Sequence, residues 1–205
     1  MSKVKESLAV IHGRFQPLHL GHMEYLLAGA ELCEVLVVGI TSPDPWQVGE
    51  EGSDANRGKP ESNPCTYYER HLMVEGALTE AGVAREAMRI VPFPHSYPER
   101  LRYYAPTDAL YLLSIYDDWG ETKLERFRGL GLRVHELWRR TEKLTSGSKI
   151  RGLMRTGGDW ERWVPPATAR VVREFKIDER IRQAGAGADA SGAARAPGRA
   201  EGGLG

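Results

Sequence analysis

The stretch His12-Gly13-Arg14-Phe15-Gln16-Pro17-Leu18-His19-Leu20-Gly21-His22 gathers three imidazoles, a guanidinium, an amide and two glycines between an apolar run and a helix-like pattern. A purely structural turn needs none of these groups. His19 and His22 are three apart, which puts both rings on one side of a helical turn, and Gly21 between them lets a phosphate approach the backbone. A second cluster, Trp138-Arg139-Arg140 followed by Thr145-Ser146-Gly147-Ser148-Lys149-Ile150-Arg151, lies where a last strand gives way to a helix. Ser146, Gly147 and Ser148 at a helix start leave N–H groups and hydroxyls for an anion, and Arg151, one turn in, carries a fork for the same anion. Each such charge-assisted contact is worth about 1.5–3 kcal/mol. The chemistry expected of the two clusters together is the binding of a polyphosphate.

They meet only if the fold brings them to one side. Leu8 to His12 is a short apolar run, and Met23, Leu26, Leu27 and Ala30 then fall at helical spacing, so a strand precedes a helix that also holds Cys33. Glu34 to Ile40 is β-branched and apolar at consecutive positions, as a strand covered on both faces must be. Thr41 to Pro64 is rich in proline, glycine and charge without a period, and reads as a long surface loop that could act as a lid. Thr66 and Glu69 form a capping box, with Tyr68, Leu72, Met73 and Gly76 on the inner face of a helix ending near Gly82. Met88 to Val91 reads as a strand stopped by Pro92 and Pro94, and Asp108 to Ile115 as a buried one. Asp118 with Glu121 reads as a second capping box, opening a helix to Arg128 before the strand Leu132 to Leu137. From Gly147 to Gln183 the pattern is helical, with breaks at Gly157-Gly158 and Pro165-Pro166. The expected fold is α/β: a doubly wound, Rossmann-like, five-stranded parallel sheet with C-terminal helices. In such a sheet ligands bind beyond the carboxyl ends of the strands.

Composition narrows the function. Lys plus Arg equals Asp plus Glu, 28 against 28, so no broad field favours nucleic acid or an anionic membrane, and anion binding must be local. Apolar runs such as Leu36 to Ile40 and Leu110 to Leu113 are far below the roughly 20 residues of a membrane span. No signal-like stretch precedes the first strand, and Cys33 and Cys65 read as free thiols, so the expected compartment is the cytoplasm. In residues 184–205, 15 of 22 are Gly or Ala, a composition that cannot build a core and reads as a disordered tail without function.

Three stretches carry a family resemblance: Gly13 to His22, then Tyr68-Glu69-Arg70, then Ser146 to Arg151, joined by Asp159-Trp160 and Val164-Pro165. The chain resembles the HxGH nucleotidyltransferase superfamily, and most closely the archaeal-type nicotinamide mononucleotide adenylyltransferases. The resemblance implies one nucleotidyltransferase domain over residues 1–183. It implies transfer of a nucleoside monophosphate, AMP favoured, from a nucleoside triphosphate to a phosphate-bearing acceptor such as nicotinamide mononucleotide, with release of pyrophosphate, with Mg²⁺ and without a covalent enzyme intermediate. Under it His19, His22 and Arg151 are catalytic, and Gly13, Arg14, Phe15, Gln16, Gly21, Ser146, Gly147 and Ser148 bind the nucleotide. Such a displacement asks little covalent work of the protein, so positioning and charge neutralisation supply most of the rate.

The departures fall in the acceptor region. Where those adenylyltransferases hold the nicotinamide ring with an Asn and a Trp, this chain reads Pro94-His95-Ser96-Tyr97-Pro98-Glu99-Arg100-Leu101-Arg102-Tyr103-Tyr104. Their Ser-Gly-Asn-Pro-like stretch is replaced by Ser114-Ile115-Tyr116-Asp117-Asp118-Trp119-Gly120. Arg139, Tyr103 and Trp119 are the candidate acceptor contacts, set against a solvated strand end and ordinary packing. A zinc pair at His19 and His22 lacks a third ligand, so no metal site is assigned. Asp118 reads as a cap, Glu69 and Lys149 as helix-surface charges, and His12, His71, His95 and His135 receive no role. Two further functions stay open: a cytidylyltransferase acting on a small phosphate or phosphonate, and a nucleotide-binding sensor without turnover. Homo-oligomerisation is left open as well.

Overall fold

The computed structural model describes residues 4–42 and 60–184; the greater part of the expected lid segment and the Gly/Ala-rich tail lie outside them. Among the described residues the strands β1 (Glu6–Gly13), β2 (Cys33–Thr41), β3 (Met88–Phe93), β4 (Leu110–Ile115) and β5 (Arg133–Arg139) form one sheet, in the order β3-β2-β1-β4-β5. Every neighbouring pair is parallel, so each connection is a crossover. The crossovers and the end of the domain carry α1 (Leu20–Leu32), α2 (Tyr67–Glu80), α3 (Asp118–Gly129), α4 (Gly147–Thr156) and α5 (Pro166–Glu174), followed by a helical run over 177–184.

Both faces of the sheet are covered, which explains the unbroken apolar runs. Ala9, Ile11, Leu36, Val38, Ile40 and Leu112 point into one core with the helices α1, α2, α4 and α5. Val10, Val37, Tyr111, Leu113 and Ile115 point into the other, against Leu124 and Phe127 of α3. The strand order reverses between β1 and β4, the crevice where an open parallel sheet accepts ligands. There the two strands part early. The register of β1 with β2 runs from Glu6 to Gly13, whereas β1 meets β4 only at Ala9↔Leu110 and Val10↔Tyr111. Tyr25 of α1 compensates by donating its hydroxyl to the Leu112 carbonyl at 2.7 Å. A register shift between β4 and β5 at Leu113/Ser114 further turns Ser114 at the mouth of the crevice.

Several expectations are corrected. Cys33 opens β2 instead of ending the preceding helix, although both cysteines are free and buried as expected. β3 continues through Pro92, paired with Ile40, because β3 is an edge strand and a missing N–H on its outer side interrupts no ladder. Tyr68 is 61% exposed; the inner face of α2 is Glu69, Arg70, Met73, Val74, Ala77 and Leu78, so two charged residues occupy places assigned to apolar ones. Glu69 is therefore no surface charge: it closes the capping box with Thr66 and pairs with Arg180 at 2.8 Å. The cap of α3 is Asp117, whose extended backbone aims a carboxylate oxygen at the Gly120 N–H, while Asp118 is already helical.

Removing the hydroxyl at Tyr25 leaves the Leu112 carbonyl unpaired in the core. Tyr25→Phe is expected to lower stability by about 1–3 kcal/mol, read from urea-denaturation midpoints, and an unchanged midpoint would show that another group satisfies that carbonyl.

Candidate active site

The loop that leaves β1 is fixed from several sides. Phe15 adopts a positive φ of 52° and sinks its ring into the core. Gln16 spans to the start of α2, its amide donating to the Cys65 carbonyl at 2.9 Å and its oxygen accepting from the Cys65 N–H at 2.8 Å. Arg70, only 2% exposed, donates to the carbonyls of Arg14 at 3.0 Å, Thr41 at 2.7 Å, Ser42 at 2.9 Å and Thr66 at 3.1 Å. Burial lowers its pKa to about 10, which leaves it cationic at neutral pH. From the other end of the chain, Arg151 donates to the Gln16 carbonyl at 2.7 Å.

His19 is the N-cap of α1, and its Nδ1 accepts from the His22 N–H at 3.2 Å. A nitrogen that accepts carries no proton, so the neutral ring holds its hydrogen on Nε2. The His19 and His22 rings stack at 3.5 Å between centroids, and His22 meets the edge of Phe15 at 5.0 Å. Burial lowers the pKa of His19 to about 4. Burial first, then the charges of His19 and Arg14, holds His22 well below the ordinary imidazole range. At neutral pH the pair is thus two neutral donors. His22 Nδ1 is buried without a hydrogen-bond partner among the described residues.

Opposite stands the start of α4. Ser146 caps it by accepting from the Lys149 N–H at 3.2 Å, so the first N–H groups of the helix stay available to an anion. A Cβ on Gly147 would lie 2.8 Å from the Gln16 carbonyl oxygen, so glycine there permits this approach of the early and late clusters. The Thr145 hydroxyl is buried with no partner among the described residues.

Between the clusters lies a cavity of about 300 Å³. Of the expected residues, Gly13, Arg14, His19, Gly21, His22, Trp119, Ser146 and Gly147 line it. It shares Tyr116, Asp117 and Lys143 to Ser146 with an adjoining cleft that continues to Thr141 and Lys149. Two helix N-termini, with Arg14, Lys123 and Lys143 against the carboxylate of Asp117, therefore give a local positive site on a chain without net charge.

Six expected residues do not line it. Phe15 and Gln16 are buried, holding the loop with ring and amide. Arg151 is enclosed, with one nitrogen donating to the Gln16 carbonyl at 2.7 Å and another to the Ser148 hydroxyl at 3.3 Å, so it ties the start of α4 to the loop from behind the cavity lining. Arg139 points to the surface, paired with Glu136 and Glu121, and Tyr103 is 69% exposed. Arg140, the neighbouring candidate, pairs with Glu24 over the Trp138 ring. Conversely, His12, His95 and Lys123 do line the cavity, as do Ser114 and Asp117. Only the burial of His12 and the facing of α3, both products of tertiary packing, disclose them.

Comparison with known proteins gives the family and the fold. The Cytidylyltransferase-like family matches residues 10–89, from the middle of β1 into β3. A phosphonoformate cytidylyltransferase from Streptomyces viridochromogenes is 68% identical over 173 residues, covering 84% of this chain and 94% of that protein. The chain belongs to the cytidylyltransferase-like family of HxGH nucleotidyltransferases. A nicotinamide-nucleotide adenylyltransferase from Picrophilus torridus, 31% identical over 85% of this chain and 95% of its own length, lies further away. Among solved structures, the bifunctional NMN adenylyltransferase/ADP ribose pyrophosphatase from Francisella tularensis superposes with a TM-score of 0.60 at 13% identity, over 87% of this chain and 53% of that one, a likeness of fold. As a nucleotidyltransferase the chain has its HxGH residues, His19 to His22, at the cavity.

The buried imidazoles make this nucleotidyltransferase acid-sensitive. With a native pKa of about 4 against 6.5 when unfolded, His19 binds more protons in the unfolded state between those values, so its contribution is complete above pH 6.5 and lost as pH falls. The loss from His19 alone reaches roughly 3 kcal/mol near pH 4. Urea midpoints should fall between pH 7 and pH 5, and His19→Gln should reduce that slope; a midpoint that rises on acidification contradicts a buried neutral imidazole.

Proposed function

We propose that the chain transfers CMP from CTP to a small phosphonate-bearing acid, with phosphonoformate as the substrate to test, and releases pyrophosphate. The observation that carries this reading is the 68% identity, over nearly the whole length of both chains, to a phosphonoformate cytidylyltransferase. It ranks above adenylyl transfer to nicotinamide mononucleotide, the first expectation from the motifs, because relatives of that name stand at about 30%. Two local features support the same order. The acceptor-side segments Pro94 to Tyr104 and Ser114 to Gly120 depart from the adenylyltransferase pattern. The cavity of about 300 Å³ also sits at the small end of small-molecule sites, which suits a mononucleotide and a compact acid.

In the reaction, an oxygen of the acceptor's phosphonate attacks the α-phosphorus of CTP. The bond from that phosphorus to the bridging oxygen breaks, and the electron pair leaves with pyrophosphate. The protein's work is electrostatic. The Nε2–H of His19, an N–H of His22, and the free amides at the starts of α1 and α4 stabilise charge building on the leaving group. Arg14 adds positive charge at the cavity, where the charge of Lys143 is met by Asp117. Because burial keeps the imidazoles neutral at neutral pH, they donate without protonating the pyrophosphate outright.

Mg²⁺ belongs to this reading as a companion of the triphosphate, whose negative charge it offsets when bound. Among the described residues no cluster of three His, Cys, Asp or Glu side chains could hold a metal ion. Asp117, the carboxylate among the lining residues, already accepts from Gly120 N–H and from Lys143. With no such cage among the described residues, phosphate oxygens and water would supply ligands to the ion.

A pyrophosphate-release screen of CTP and ATP against phosphonoformate and nicotinamide mononucleotide tests the reading. CTP with phosphonoformate should give the highest kcat/KM, lost on adding EDTA. His19→Ala and His22→Ala should each lower kcat by about a hundredfold or more, the scale of removing a preorganised donor. Turnover confined to ATP with nicotinamide mononucleotide would replace the reading, and nucleotide binding without release for any pair would favour a sensor.

A further inference from the structure

His12 lies at the point where β1 and β4 have parted, one residue before the loop that carries the HxGH pair. Its side chain is 7% exposed, and neither ring nitrogen has a hydrogen-bond partner among the described residues, yet it lines the cavity. Leaving both nitrogens of a buried imidazole unpaired is costly, and a phenyl ring would make the same stack without that cost. The ring is held in one orientation, stacked on Phe93 at 4.6 Å and 11° and tilted against Phe127 at 5.3 Å. The packing thus fixes where an unmatched N–H points.

Next to it stand His95, 5.6 Å away in the same stack, and Trp119, which meets His95 edge-on at 5.6 Å. Lys123 of α3 is near enough for its charge to act on His12. This second contact group lines the same cavity as His19, His22 and Gly147, but its side chains come from the end of β1, the segment after β3 and α3, not from the starts of α1 and α4. In-line displacement puts attacking and leaving oxygens on opposite sides of the α-phosphorus, so an acceptor belongs on the side away from the leaving group. A lysine and a fixed N–H donor there select an anion.

Resting on the reading of the chain as a phosphonate cytidylyltransferase, we propose that His12 is a specificity-determining residue of the acceptor half-site. Its ring N–H binds the carboxylate of a small phosphonocarboxylic acid, held among His12, His95, Trp119 and Lys123. The phosphonate end is left facing the α-phosphorus. Burial and the Lys123 charge keep His12 neutral, so it offers one donor and one acceptor, suited to a carboxylate oxygen with a water beside it.

The test is calorimetric binding of phosphonoformate and of methylphosphonate, which lacks the carboxylate, to the full chain saturated with a non-hydrolysable CTP analogue. His12→Phe keeps the stack and removes the N–H. It should weaken phosphonoformate at least tenfold, leave methylphosphonate and the CTP analogue within twofold, and so abolish the preference between the two acids. His12→Gln, which retains a donor, should restore part of that preference. Equal weakening of both acids, or phosphonoformate affinity within twofold of the original, overturns the assignment. If His12→Phe does not fold, Lys123→Met on half-buried α3 reads the same ratio, with loss of the preference expected and an unchanged ratio overturning the half-site. The parent reading fails separately: a chain that binds phosphonoformate through His12 but releases no pyrophosphate from CTP keeps the half-site and loses the reaction. A chain that does not bind phosphonoformate at all overturns the half-site whatever nucleotide it uses.

Discussion

Two buried guanidinium groups, Arg70 from α2 and Arg151 from α4, take the backbone carbonyls of the loop between β1 and α1. Taking a cation out of water is costly unless its donors are satisfied, and here the compensation is a set of carbonyl oxygens that the loop geometry leaves without strand or helix partners. The consequence is a loop with little freedom. Arg14 and Gln16 each present a carbonyl to a charged donor, the Gln16 side chain is locked on Cys65, and Phe15 is anchored in the core. Because Arg151 lies in the helix whose first turn forms the opposite wall, one hydrogen bond at 2.7 Å both shapes the loop and sets the distance across the cavity.

From that constraint the site's chemistry follows. The parting of β1 from β4 opens the sheet at its switch point, and the loop delivers the His19 and His22 rings into the opening as a stacked, neutral pair. Facing them are the amides of α4, undisturbed because Ser146 caps the helix with its own hydroxyl. Donors fixed before substrate arrives need no reorganisation as charge develops at a phosphorus centre. Net charge plays no part in this; the potential is made locally by helix ends and a few side chains on a balanced chain.

Much of this was legible in the residues alone, and for identifiable reasons. Unbroken apolar runs announce strands buried on both faces, and the HxGH spacing together with the Ser-Gly start of α4 points to a shared phosphate site. What stayed hidden depends on long-range packing of polar groups. Arg151 reads as an anion-binding fork because its position in the sequence suits one; only the fold turns it inward onto Gln16, 135 residues away. Glu69 reads as a surface charge because charged residues are exposed by default, and His12 as an ordinary strand-end residue because its lack of partners is a property of the assembled core. Asp118 reads as the cap because Glu121 follows it at capping-box spacing, and only the backbone angles give that place to Asp117.

The most direct measurement is a crystal structure of the chain with a non-hydrolysable CTP analogue and Mg²⁺. The account predicts a triphosphate spanning the starts of α1 and α4, with His19 Nε2 and the Gly147 N–H both within hydrogen-bond distance of its oxygens and Arg151 still on the Gln16 carbonyl. A triphosphate that contacts only one of the two helix starts, or that draws Arg151 out of the loop to reach it, would contradict it.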